Sequence, residues 1–347
     1  MRDVISKPTN DRGAVVLWVA LMMVVLLGVG ALAVDLGALH VERQRLRTGA
    51  EAAALAVARD CVDGDCGPTV ATAQTWAPQN DPDGAMGVTT VCGEGPGMSP
   101  CGPEVEPPAN VDEAAGWVHV ATRTATPDGS DEVRLRLAPL IGALSSTALQ
   151  SRATVAWGGL SGGSVVPLAM SVCEFQALGG NPFTGTFPSG RQYVYFHGVG
   201  GTGEPGVGSC TASTSGQDLP GGFGWLSASG CALDVRVGDW VYADPGNSPS
   251  KACRNALDDW RNAVIEITLF DDEAGTGSGG RYHIAGIAAF RVLGYRFSGE
   301  VWPKNFRCPA ARGNSGTCLY GEFSRVTVTG GSLGGPDFGV RTTRLVG

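Results

Sequence analysis

Lysine is nearly missing from this chain: of 25 basic residues only Lys7, Lys251 and Lys304 are lysines. Against 33 acidic residues and a net charge of -8, the arginines give no clustered cationic face for duplex DNA or RNA. Histidine is scarce too. His40, His119, His197 and His283 are far apart in sequence and leave little material for a His-rich metal centre. Charged residues make up only 17% of the chain and hydrophobic ones 43%, too apolar a mix for general disorder. What the chain has in quantity is glycine (53) and proline (21), which favours a turn-rich β protein over a helical one. It also has ten cysteines, an even number that reads as paired thiols in an oxidising compartment.

Charge is wholly absent from Ala14 to Val34. At 1.5 Å per residue this run spans about 30 Å, the thickness of a bilayer's hydrocarbon core. Trp18 lies near one end, where an amphipathic ring rests at the headgroups. The alternative is a cleaved secretory signal, with Ala31-Leu32-Ala33 as the small-residue site after a basic start at Arg2, Lys7 and Arg12. The apolar run is longer than a usual signal core, which favours a retained anchor. Arg43, Arg45 and Arg47 follow the span, so flanking charge does not orient it. All ten cysteines do follow it, and this places the N-terminus in the cytoplasm and the remainder outside.

Beyond the span, Leu36, Leu39, Leu46, Ala50, Ala53 and Val57 recur at three- and four-residue steps, the stripe of a helix. Gly37 and Gly49 each weaken it by about 1 kcal/mol relative to Ala. A continuous helix from Ala14 to Asp60 would be roughly 70 Å long. Gly28, Gly30, Ala50, Ala53 and Ala54 keep one flank lean and are the candidate face for a partner helix; the alternative is that the alanines only pack on the chain's own β domain.

Asp11-Arg12-Gly13, the apolar span, Asp35-Leu36-Gly37, Arg45-Leu46 and Glu51-Ala52-Ala53-Ala54-Leu55-Ala56 resemble the N-terminal segment of TadE/TadG-like proteins of the tight-adherence (Flp) pilus machinery. The chain departs from that pattern at Arg47, where Gln is common, and at Glu51, where Asp is common. Pilin-type members carry a Glu five residues after the processing Gly; counted from Gly13, that position is Trp18. The chain thus looks like the non-processed TadG-type members. The Asp-x-Ser-x-Ser metal motif of those with a von Willebrand factor A domain does not occur here. The resemblance implies partners among pilus-assembly membrane proteins or pilin-like subunits.

The expected organisation is a cytoplasmic tail (1–13), an anchor (14–34), an extracytoplasmic helix (35–60), a Cys/Pro-rich loop and small β region (61–157), a Gly/Ser linker (158–165) and a β-rich domain (166–347). Cys61/Cys66 and Cys92/Cys101 are close enough in sequence to pair as small loops, and Cys308/Cys318 likewise. Cys231 with Cys253 would tie a strand to a short helix capped by Ser248. Strands are expected at 117–124, 133–137, 148–157, 192–197, 232–237, 264–270, 282–292 and 322–329.

Several motifs carry less than they suggest. Gly198-Val199-Gly200-Gly201-Thr202-Gly203, with Asp218 further on, fits a dinucleotide fingerprint but is followed by Glu204-Pro205, which cannot open the required helix. Asp271-Asp272-Glu273 beside Gly275–Gly280 offers hard oxygen ligands without EF-hand spacing, and reads as a solvated hairpin loop. His197 and His283 have no Ser in a nucleophile elbow. Asp258/Asp259 are adjacent on a helix and diverge.

The expectation is an α+β chain: one transmembrane helix continuing as a long helix, then a mainly antiparallel, disulfide-bonded β region. The expected function is non-enzymatic, in pilus assembly or the cell envelope, with no cofactor, no catalytic residue and no metal. The rival is an anchored module binding glycan or calcium near Trp225, Trp240 or Trp302.

Overall fold

The computed structural model describes residues 12–62, 64–82, 86–109, 114–125, 131–141, 145–181, 186–195, 224–244, 248–275, 279–309 and 317–346. Helix α1 runs unbroken from Arg12 to Val62, 51 residues and about 76 Å. It holds together because no proline interrupts it and because the alanine-rich stretch after Gly49 offsets the glycines. Helix α2 (Thr69–Trp76) follows directly on Pro68, at a helix start where the missing N–H costs nothing. The segment 61–112 is therefore less irregular than its prolines suggest; besides α2 it contributes strand β1 (Met86–Glu94).

One seven-stranded sheet holds β1, β2 (Gly116–Thr124), β5 (Gln150–Val165), β8 (Leu233–Arg236), β14 (Val326–Val328), β15 (Ser332–Gly335) and β16 (Val340–Leu345). A second holds β6 (Ala169–Ser171), β7 (Gln192–Tyr195), β9 (Trp240–Tyr242), β10 (Val264–Ala274), β11 (Arg281–Phe297), β12 (Glu300–Trp302) and β13 (Cys318–Ser324). Strands β3 (Glu132–Arg134) and β4 (Ser146–Ala148) form a separate pair. Pairing is mostly antiparallel, with β6–β10 and β14–β16 parallel. The α+β class with a long N-terminal helix is thus the observed one.

The chain divides into two compact units. The first takes Met1–Ala54, Val70–Val91 and His119–Ala153; the second takes Leu55–Thr69, Cys92–Val118 and Thr154–Gly347. In the second unit β11 is buried on both faces. Ala288, Phe290 and Val292 join a core with Phe175, Leu257 and Trp260, while Ile287 and Ala289 pack with Leu160, Val235 and Val340. Phe175 belongs to helix α3 (Val172–Ala177), which opens on a capping box of Ser171 and Glu174.

Three sequence expectations change. The Gly/Ser stretch 158–165 is no linker but the C-terminal half of β5. Its glycines serve close backbone approach: a Cβ on Gly159 would lie 2.1 Å from the Gly335 carbonyl oxygen. The single strand expected at 322–329 is broken at Arg325, where the chain leaves β13 in one sheet for β14 in the other. Helix α4 (Lys251–Ala256) is capped by Ser250, whose hydroxyl accepts from the Cys253 N–H at 3.1 Å, and not by Ser248. That register follows from reach, because an N-cap oxygen bonds the N–H three residues on.

Candidate membrane and partner interface

Among the described residues, the first half of α1 is exposed along nearly all its length. Val15, Leu17, Trp18, Val24, Leu26 and Leu27 are among the side chains left more than half exposed there. This helix is long and apolar enough to cross a membrane. Burial begins at Asp35, directly where the uncharged run ends.

Asp35 is 5% exposed, and its carboxylate gathers three main-chain donors. Oδ1 accepts from the Arg136 N–H at 3.1 Å, and Oδ2 accepts from Leu137 at 2.9 Å and Ala138 at 2.5 Å. These donors open the 3-10 turn Ala138–Ile141, whose first N–H groups have no partner within the turn. Burial alone would push this carboxyl up; the bonds from Ala138, Leu137 and Arg136 outweigh it and hold the pKa below the ordinary value.

Farther along the same helix the contacts continue within the first unit. Glu42 Oε1 accepts from the Thr124 hydroxyl at 3.2 Å, and Arg45 lies 3.7 Å from the Asp81 carboxylate. Gly49 packs closely: a Cβ there would lie 2.9 Å from the Ala77 carbonyl oxygen, which is main chain, and would push aside the end of the Met86 side chain. On β2, burial and then the charge of Arg152 lower the pKa of His119.

The residues expected to face a partner helix separate into two groups. Gly28 and Gly30 have open space around them, as does Gly37. Ala50, Ala53 and Ala54 are completely buried, so the folded chain itself covers them. Those three alanines are packed within the chain, the alternative that the sequence left open for this face.

The cysteines lie in bonded pairs: Cys61–Cys66, Cys92–Cys101, Cys231–Cys253 and Cys308–Cys318. Cys173 is also disulfide-bonded, and no described cysteine is free.

Of the three tryptophans considered for ligand binding, Trp225 is 2% exposed and packs in the core, and Trp302 stacks near Tyr295 beneath Arg261. Trp240 is different. It stands 39% exposed on β9 beside Tyr242, opposite His283 and Arg281 of β11. The Arg281 guanidinium lies 4.9 Å from its ring centre. His283 Nδ1 meets Asp271 Oδ1 at 2.6 Å, across the bulge that β10 makes at Asp271. Asp258 pairs with Arg261. Among the described residues no group of three His, Cys, Asp or Glu side chains could hold a metal ion. Gly198–Gly203, Cys210, Asp218 and His197 lie outside the described residues.

The region that stands apart, in exposure and in apolar length, is thus α1 itself. Residues 13–60 match the family model described as "Putative Flp pilus-assembly TadE/G-like". The matched TadE/G-like segment falls entirely within α1, and covers both its exposed apolar half and the half from Asp35 onward that makes contacts with the rest of the first unit. No curated protein sequence and no solved structure matches the chain. The Asp35 clamp escaped sequence reasoning, because an acid just after an apolar run reads as ordinary solvation at a membrane surface. Its only trace is the Asp-Leu-Gly triplet of the resemblance.

Proposed function

We propose that this chain is a non-enzymatic, single-pass component of a tight-adherence (Flp-type) pilus-assembly system. In this reading its N-terminus is cytoplasmic and its disulfide-bonded β region lies outside. The observation that carries it is the coincidence of the TadE/G-like match at 13–60 with a helix whose membrane-length apolar half is exposed. Within that half the lean surface is the place for a pilin-like helix, because close backbone approach drives association in lipid. Gly28 and Gly30 sit on different sides of the helix; Gly30, Ala33 and Gly37 share one side at steps of three and four.

The test is deletion of the gene followed by complementation with Gly30→Leu/Gly37→Leu. The deletion abolishes surface pili, and the double variant inserts and melts normally but loses its in-membrane crosslink to the pilin-like subunit. Normal piliation in the deletion strain would reject the assembly role.

A second reading rests on Trp240, Tyr242, Arg281 and the Asp271–His283 pair, an exposed aromatic and hydrogen-bonding surface of the kind that takes a sugar ring. Retention of the exported portion on envelope glycan, abolished by Trp240→Ala, would favour it.

A further inference from the structure

The Asp35 carboxylate holds the start of the 3-10 turn Ala138–Ile141 by three backbone N–H groups. The turn's backbone is bound to the first residue after the 21-residue uncharged run, Ala14–Val34. Side chains on a helix lean toward its N-terminus, which for α1 is toward the bilayer. Three N–H bonds of 2.5 to 3.1 Å therefore hold the backbone of residues 136–138 beside the first residue past the uncharged run.

What is held there is apolar. The sequence from Leu137 to Ile141 reads Leu-Ala-Pro-Leu-Ile, and no charge occurs from Leu137 through Ser151. Pro139 is exposed, and so is Arg136 on the near side of the turn. The exposed Pro139 beside the half-buried Leu137, bound to the end of a membrane-length run, has lipid as its natural neighbour, and the exposed Arg136 suits headgroup phosphates. From these placements we infer that the segment Arg136–Pro139 beds into the interface of the outer leaflet. It is a monotopic contact that fixes the height and tilt of the first unit on the membrane. A single helix leaves such a unit free to tip; a second contact locked to that helix by Asp35 removes the freedom. The inference rests on α1 spanning the bilayer, as the proposed function requires.

The experiment uses the full chain in vesicles of phosphatidylethanolamine and phosphatidylglycerol, with a nitroxide on a single added cysteine. The sites are Met23→Cys in the span, Pro139→Cys and Ser145→Cys flanking or within the turn, and Gln79→Cys as the aqueous reference. Gln79 adjoins Ala77, whose carbonyl faces Gly49, about 20 Å along the helix from Asp35. The readout is the ratio of collision with oxygen to collision with a water-soluble nickel chelate. Met23 should read as lipid and Gln79 as water. Pro139 should lie several-fold above Gln79, and Ser145 between them. Adding Asp35→Ala should move Pro139 toward the water value and leave Met23 unchanged. A water-like Met23 would overturn the spanning reading itself. A lipid-like Met23 with Pro139 and Ser145 both equal to Gln79 would overturn this inference alone, and an unmoved Pro139 in Asp35→Ala would overturn the role of the clamp.

Discussion

The Thr122 hydroxyl donates to the main-chain carbonyl of Leu46 at 2.9 Å, joining the middle of a strand to the middle of a helix across 76 positions of sequence. Both residues are fully buried. A hydroxyl has one proton to give, so this bond takes it in preference to the Ser151 carbonyl at 3.5 Å. Thr122→Val keeps the shape and removes the donor. The Leu46 carbonyl retains its helical bond, so the expected loss is about 1 kcal/mol, read as a lower denaturant midpoint with unchanged slope.

Acid should act through Asp35. Its folded pKa lies below the ordinary 3.8, so its contribution to stability is complete above that value and is lost as pH falls through the lowered folded one. Melting of the detergent-solubilised protein, followed from neutral pH downward, should show this acid loss. Asp35→Asn should melt lower at neutral pH and show a shallower acid limb. An identical limb in the variant would mean that other carboxylates account for it.

Gly159→Ala should be far more damaging than glycine-to-alanine in an ordinary strand. The new methyl would meet the Gly335 carbonyl oxygen at 2.1 Å, and main chain cannot rotate aside as a side chain can. Overpacking of this kind costs about 1–3 kcal/mol. Thermal unfolding of the exported portion measures it.

Replacing Ala50, Ala53 and Ala54 together with leucine should lower the melting temperature sharply, because all three sites are closed. Membrane insertion should persist, since the uncharged span is untouched. Unchanged melting with a lost crosslink would return these alanines to a partner surface.

The Cys231–Cys253 bond closes a 22-residue separation and anchors α4 through its buried Cys253. Changing both cysteines to serine should cost about 3 kcal/mol in the chain-entropy account. Equal unfolding midpoints for the variant and the oxidised parent would contradict that figure.

Periodicity made much of this architecture readable in advance. An unbroken apolar run and the spacing of Leu46, Ala50, Ala53 and Val57 require only local geometry, so helix α1 could be read from the chain. The alternation in 117–124 and 264–270 likewise needs only the pleat of a strand. Where glycine and proline were dense, local reading missed regular structure. It took β5 for a linker at 158–165, and it hid α2 and β1 among loops. A glycine chosen for flexibility and a glycine chosen because another backbone lies 2 Å from its missing Cβ look alike until the neighbour is known.

The candidate interface divides along the same line. Sequence by itself determined that residues 14–34 form an apolar helix ending at an acid, because transfer from water to lipid depends on composition and length alone. Only the tertiary structure decided what the acid and the alanines do. Asp35 became a buried clamp because the N–H groups of residues 136–138, a hundred positions away, converge on it. Ala50, Ala53 and Ala54 became core because the folded chain closes over them and leaves Gly28 and Gly30 open. Contacts between distant segments depend on how the whole chain packs, and no local pattern encodes which lean face is covered from within and which is left for another molecule.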